Sequence, residues 1–374
     1  MSKSILIVAS TASHFLHFHL PYLKKFNDLG YTVHIAYGGK IQAVPEADAV
    51  HCVCFEKSIL SVKNLKAADQ LKKLIRVSGF DAVICHTSLA AFFTRLAVLG
   101  MRSRPVIINT VHGYLFDHRT PLPKKVLYLT AEKLTAPVTD RIITMNREDR
   151  EIATRHQLAR DIRFCRGMGV DFSRFSDAKE LDFRRSLDFS DDDFVMIYAA
   201  EFSKRKNQQM LIRAMSLLPD RVKLILTGDG AMLQSCKELS KSLGASRRIL
   251  FPGRVENMPK WYAAADLVVS ASRSEGLPFH LMEAMYCGLP AVVSEVKGHT
   301  DLIVSGKNGF LFPYNDFKSF ASHIRSVLAD TELYKKLSRN ARQSVLQYDL
   351  KTVLPETMEL YLSSIQTYRK KETN

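Results

Sequence analysis

The 374-residue chain has one tryptophan, six cysteines and no long apolar run. Its longest apolar stretches, such as 4–10 and 263–271, fall well short of the ~18–20 residues of a membrane span. None of Cys52, Cys54, Cys85, Cys165, Cys236 and Cys287 forms a CxxC pair, which removes zinc ribbons and thioredoxin-type redox centres. Most sit in apolar stretches and read as buried free thiols in a reducing compartment. Cys52 and Cys54 alternate in a strand-like run, with nothing nearby to complete a metal site. Internal repeats are missing, as is any helix-turn-helix, zinc-finger or RRM-like signature, so nucleic acid is set aside as a partner. The apolar run after Met1-Ser2-Lys3 lacks a small-residue cleavage pattern and reads as a first β-strand, not a signal peptide.

What is present is a globular composition, 46% hydrophobic and 24% charged, in a chain long enough for two domains of ~150–200 residues. The formal net charge is +15, unevenly placed. Residues 1–170 carry 24 Lys and Arg against 13 Asp and Glu, whereas 171–374 carry 29 against 25. A basic first half suits a polyanionic partner, either a phosphorylated substrate or an anionic membrane face.

Short β-branched runs at 4–9, 31–37, 82–86, 106–111 and 141–145 alternate with amphipathic stretches at 17–29, 65–78, 89–99 and 124–134. Such alternation predicts a parallel sheet covered on both faces. The pattern loses its periodicity over 171–190 and then resumes. The expected organisation is an α/β protein of two Rossmann-like doubly wound domains, 1–170 and 171–350. Ligands would bind in a central cleft at the carboxyl ends of the strands. A last helix, ~353–369, is expected to pack back on the first domain through Leu354, Met358, Leu362 and Ile365.

The most informative stretch is 272–290, SRSEGLPFHLMEAMYCGLP. Pro278 suits the first helical position, preceded by Gly276 and Leu277. The free N–H groups of that helix start attract an anion. Glu283 lies five residues further, ~7–8 Å along the axis. This spacing fits a nucleoside diphosphate, its phosphates at the helix mouth and its ribose hydroxyls on Glu283. Taken alone, it also fits a capped surface helix with solvated carboxylates.

The whole set of motifs resembles the family 4 retaining glycosyltransferases, which have the GT-B fold, and more loosely their capsular and exopolysaccharide branch. Glu275 and Glu283 match the E-x7-E region. Gly169-Val170-Asp171 with Arg174-Phe175, Leu226–Gly230, Phe251-Pro252-Gly253-Arg254 and Gly306–Leu311 match further segments, covering residues ~169–315. In the first half the match rests on His14, His17 and His19 with Leu20-Pro21-Tyr22-Leu23, on Val111-His112-Gly113, and on 143–146. The resemblance implies catalytic roles for His112, Lys206 and Glu275. It places a nucleotide-sugar donor on Glu283, Gly253, Arg254, Lys204, Arg205, Gly276, Leu277 and Pro278, and an acceptor region at His14, His17 and His19.

One departure stands out. Ala200-Glu201 replaces the usual Gly-Arg, which leaves the leaving diphosphate to Lys206, its basic neighbours and helix N-termini. Asp191-Asp192-Asp193 falls in the junction and reads as a solvated charge run, so no metal or other cofactor is expected. The implied activity is hexosyl transfer from a UDP-type donor to a lipid-diphosphate-linked saccharide in surface polysaccharide synthesis. The implied location is cytoplasmic, peripheral on the inner face of the plasma membrane. Phe116, Leu122 and Val126 beside Lys124 and Lys125 are the candidate contact with anionic lipid. A nucleotide-sugar 2-epimerase of the same fold, or a non-catalytic partner subunit, are the alternatives.

Overall fold

The computed structural model describes residues 3–56, 58, 61–175 and 181–369. They form two compact units, one running to Gly169 and resuming at Lys351, the other Val170–Leu350. In the first unit seven parallel strands are seen among the described residues. They are β1 (Lys3–Thr11), β2 (Tyr31–Gly38), β3 (Ala49–Cys52), β4 (Ala82–His86), β5 (Val106–Val111), β6 (Arg141–Thr144) and β7 (Asp161–Phe164). Their order is β3-β2-β1-β4-β5-β6-β7. The second sheet contains β8 (Phe194–Ala199), β9 (Val222–Thr227), β10 (Ile249–Gly253), β11 (Leu267–Ser270), β12 (Ala291–Ser294) and β13 (Gly309–Phe312). Its order is β10-β9-β8-β11-β12-β13. Both sheets reverse direction of winding once, between β1 and β4 and between β8 and β11. Such a reversal opens a crevice at the strands' carboxyl ends.

The central strands are mostly apolar because both faces are covered. All five residues of β4 and all six of β5 are buried, as a parallel sheet flanked by helices requires. Three cysteines, Cys85, Cys165 and Cys236, are buried. Cys52 and Cys54 are exposed, contrary to the sequence reading. The reason is that β3 is an edge strand whose residues are at most half-covered.

The helix expected over 17–29 is two helices, Ala12–Phe18 and Leu20–Asp28, with His19 at the joint. Pro21 cannot donate a backbone hydrogen bond and is accommodated in the first turn of the second one. The helix Leu122–Thr135 is anchored from inside by Glu132, which receives both bonds of a buried pair from Arg95 at 3.0 and 3.1 Å. Its outer side leaves Leu122, Val126, Leu127 and Leu134 exposed. Phe116 is not part of that surface. It is buried against Tyr114 and Tyr128, with ring centroids 5.3 and 6.3 Å away.

The last helix, Leu350–Arg369, lies on the first unit. Met358 and Ile365 of the expected stripe are buried, but Val353 and Tyr361 complete the buried side in place of Leu354 and Leu362, which are half-buried. Tyr361 explains the shift. Its hydroxyl meets Thr110 at 3.0 Å, and its ring sits 6.1 Å from that of Phe26. Arg141 donates to the Leu360 carbonyl at 2.7 Å. The chain leaving at Val170 and returning at Leu350 is paired, Val170 N–H to Tyr348 O and Leu350 N–H to Val170 O, both at 2.9 Å.

Candidate active site

Two polar clusters lie at the carboxyl ends of the sheets, one in each unit. The cluster in the second unit is ionic. The loop after β8 carries Lys206, and the loop after β11 carries Glu275, and both are buried. Lys206 Nζ is 2.5 Å from Glu275 Oε1, and Arg205 reaches Oε2 at 3.2 Å. The Ser272 hydroxyl donates to Oε1 at 2.5 Å and stands 2.8 Å from the Tyr198 hydroxyl. Burial works to protonate Glu275, but Lys206 and Arg205 outweigh it and hold the carboxyl well below the usual carboxylate range. On Lys206 burial is the larger influence and draws the ammonium below the usual lysine range, against the pull of Glu275.

The loops are shaped to allow this approach. A Cβ at Gly298 would lie 2.8 Å from Glu275 Cβ and from the Gly276 carbonyl, so only glycine fits beside the carboxylate. Gly228, with φ +124°, lets the turn after β9 pass close to that after β8; a Cβ there would meet the Ala200 oxygen at 2.2 Å. Glu201 is exposed and its carboxylate favours the charged form of Lys206. Its backbone carbonyl accepts from Gln208 at 2.9 Å.

Two histidines missed by sequence reasoning flank Glu275. Burial pushes His280 down to about 3 and His299 down to about 4, so both are neutral. His299 Nδ1 is 2.8 Å from the Ser294 carbonyl, which can only accept, so that nitrogen carries the proton. Its Nε2 is then a buried lone pair, without a hydrogen-bond partner among the described residues. His280 occupies the E-x7-E stretch itself, whose only sequence signal was the two carboxylates.

The helix Phe279–Tyr286 begins one residue later than expected. Pro278 has ψ 115° and is its N-cap, not its first residue. Leu277 and Pro278 are buried, Gly276 is half-covered, and Glu283 lies in the second turn. Tyr262 donates to Glu283 at 3.1 Å. Burial raises the Glu283 carboxyl above the usual range, opposed by Tyr262 and Arg174. The 169–175 segment braces this helix, because Phe172 stacks on Tyr286 with centroids 4.2 Å apart. Gly253 closes β10 at φ +79°, while Arg254 and Lys204 are exposed beside the same loops.

The cluster in the first unit is made of imidazoles. His14 Nδ1 lies 2.8 Å from His19 Nε2, and His86 Nδ1 lies 2.9 Å from His112 Nε2. The rings of His19 and His86 are 4.1 Å apart and those of His14 and His112 are 4.8 Å apart, which joins the two pairs. Burial pulls His19, His86 and His112 well below the usual histidine range, and His14 to about 4. His17 is not brought in. It is exposed and its Nδ1 bonds the Ser13 carbonyl of its own turn. His86, which the sequence reading did not single out, ends β4 and precedes Thr87. That β-branched residue sits at φ +62°, held by Ser10 through a 2.6 Å hydroxyl contact.

Removing one member of the buried ion pair should reveal its charge dependence. Lys206→Ala leaves Glu275 with the half-exposed Arg205 as its cation and is expected to cost about 3–5 kcal/mol of stability. Urea denaturation followed at Trp261, the one tryptophan, measures it. Adding Glu275→Gln should restore at least half of the loss.

Comparison with known proteins follows the two units. The family described as "Glycosyl transferases group 1" matches residues 179–344, and that described as "Glycosyl transferase 4-like" matches residues 4–146. A protein named glycosyltransferase EpsD of Bacillus subtilis is 32% identical over 370 residues, covering 96% of this chain and 97% of its own. The UDP-Gal:alpha-D-GlcNAc-diphosphoundecaprenol alpha-1,3-galactosyltransferase of Escherichia coli is 26% identical over 320 residues, covering 83% and 82%. Among solved structures, HepE of Anabaena in complex with UDP and glucose superposes with a TM-score of 0.77 at 19% identity, covering 96% of this chain and all of that one. With two doubly wound parallel sheets in these strand orders and matches that span both units, the chain belongs to the family 4 glycosyltransferases of GT-B fold.

Proposed function

We propose that this glycosyltransferase moves a hexose from a UDP-sugar to a lipid-diphosphate-linked saccharide during surface polysaccharide synthesis, with retention at the anomeric carbon. The observation that carries the reading is the buried Lys206–Glu275 pair at the carboxyl edge of the second sheet. Breaking the anomeric C–O bond puts negative charge on the departing diphosphate and positive charge on the sugar. An ammonium already desolvated beside that position stabilises the developing phosphate charge at little reorganisation cost. Lys206 has three N–H donors and Glu275 engages one of them. The N-terminus of Phe279–Tyr286 adds oriented N–H groups. Glu275 accepts hydroxyls of the donor sugar, Glu283 accepts those of the ribose, and Gly253, Arg254, Lys204 and Arg205 line the nucleotide. His112 stands beside the donor sugar, and His14 and His19 belong to the acceptor side. The leaving phosphate takes the acceptor's proton in a front-face attack.

Support for the substrate class comes from the Escherichia coli relative, whose name gives UDP-Gal as donor and a diphosphoundecaprenol acceptor. Lysine and helix termini take the place of a divalent counter-ion at the diphosphate. Transfer of radiolabelled hexose from UDP-sugar to a diphospho-lipid saccharide, without added Mg²⁺ or Mn²⁺, is the decisive assay. Product with retained configuration is expected. Sugar isomerisation without acceptor would make the chain an epimerase instead.

Glu283→Ala should weaken UDP binding by about 1–3 kcal/mol through lost charge-assisted ribose hydrogen bonds, as read by calorimetry. Unchanged affinity removes the ribose role.

The first unit meets the anionic inner leaflet through the outer side of Leu122–Thr135. Leu122 and Val126 are 72% and 53% exposed there, beside the exposed Lys124. Each basic residue held near such a surface contributes ~1 kcal/mol. Liposome flotation should show binding to anionic vesicles that weakens with salt and falls in Lys124→Glu/Lys125→Glu. Equal flotation on neutral vesicles would contradict it.

A further inference from the structure

The four imidazoles of the first unit have a geometry that sugar transfer does not require. His14 lies in the helix Ala12–Phe18, His19 is the joint that follows it, and His112 comes directly after β5. One ligating nitrogen from each of these three lies within 4.8 Å of the others. We propose that His14, His19 and His112 form a binding site for a divalent transition-metal ion of the zinc class, with His86 orienting His112.

Tetrahedral zinc holds imidazole nitrogens at ~2.0–2.1 Å, which places neighbouring ligand atoms ~3.3–3.4 Å apart. The 2.8 Å contact between His14 and His19 therefore opens by about half an ångström, and the longest separation closes by under 1.5 Å. Ring rotations cover both changes. Each neutral imidazole keeps its proton on the nitrogen that faces away from the ion, so binding only shifts tautomers. His86 Nδ1 holds one nitrogen of His112 at 2.9 Å, which fixes the ring and its tautomer as outer partners do in metal sites. His19 is buried, whereas His14 and His112 are half-covered, which gives an ion a path in and room for water as fourth ligand.

The donor chemistry identifies the class of ion. Three nitrogen ligands without a carboxylate favour zinc, cobalt, nickel or copper over magnesium or calcium. Such an ion is no counter-ion for a diphosphate, so the proposal stands apart from the role given to Lys206. It uses residues of one unit only. It would hold even if the substrates proposed above were wrong.

The test uses the full chain without a polyhistidine tag, stripped with chelator and dialysed against Zn²⁺. Elemental analysis should find one zinc per chain, retained at low micromolar free ion. Co²⁺ loading should give visible d–d absorption. X-ray absorption of the zinc-loaded wild-type protein should show a nitrogen and oxygen shell with imidazole scattering. His14→Ala and His112→Ala should each lower affinity by about tenfold or more, while Cys52→Ser/Cys54→Ser should keep it. Absence of stoichiometric zinc, sulfur in the shell, or unchanged affinity in both histidine variants would overturn the proposal. Because the spectroscopy is done on the wild-type chain, a variant that fails to fold does not remove the test.

Discussion

The site of the second unit depends on keeping Glu275 charged out of water. A carboxylate without solvent takes up a proton unless cations and hydrogen-bond donors replace the water. Lys206, Arg205 and Ser272 provide them here, all within 3.2 Å. The surrounding chain is shaped by that requirement. Gly298 leaves room beside the carboxylate, and Ser272 is itself fixed by Tyr198 and, through its carbonyl, by the Ser294 hydroxyl. Lys206 in turn is desolvated, so its charge is available to a ligand at close range instead of being spread into water. The same pair thus links the stability of the loop ends to the electrostatics of the site.

The two units apply one topology to different chemistry. In each, the winding reverses beside the first strand, and the polar residues collect at the carboxyl edge there. In the second unit the groups are ionic and mutually neutralising. In the first they are imidazoles, which resolve burial by staying neutral and hydrogen-bonding to one another. Neutral nitrogen bases can accept a hydroxyl or a metal ion, but they contribute no fixed positive charge. The basic excess of the first half lies elsewhere, including the exposed side of Leu122–Thr135.

The chain itself joins these tasks. The segment 169–175 pairs with the returning chain at Tyr348–Leu350 and, through Phe172, braces the helix that carries Glu283. Beyond it, Leu350–Arg369 closes over the first unit by means of Tyr361 and the Arg141 contacts. A junction motif therefore acts on the site in two ways, through the aromatic packing of Phe172 and through the charge of Arg174 on Glu283.

Much of this was legible in the sequence because it is written locally. Alternating apolar runs and helical stripes have fixed periods, so the βα order and the change near residue 171 followed from spacing. The Glu275-to-Glu283 spacing and the run around Lys206 were local too, which is why those residues were found. What the tertiary structure decided were matters of distance between separate segments. That Lys206 meets Glu275 at 2.5 Å depends on two loops 69 residues apart. His86 joins His112 because β4 and β5 are neighbours, and His17 is left out because one turn of helix points it to solvent. Phe116 is buried although it sits among exposed residues, and the last helix turns Tyr361 inward instead of Leu362, since Thr110 and Phe26 are there to receive it. The periodicity of a single segment specifies which of its faces is apolar; the partner that selects among nearly equal faces belongs to another part of the chain, and only the folded protein brings it there.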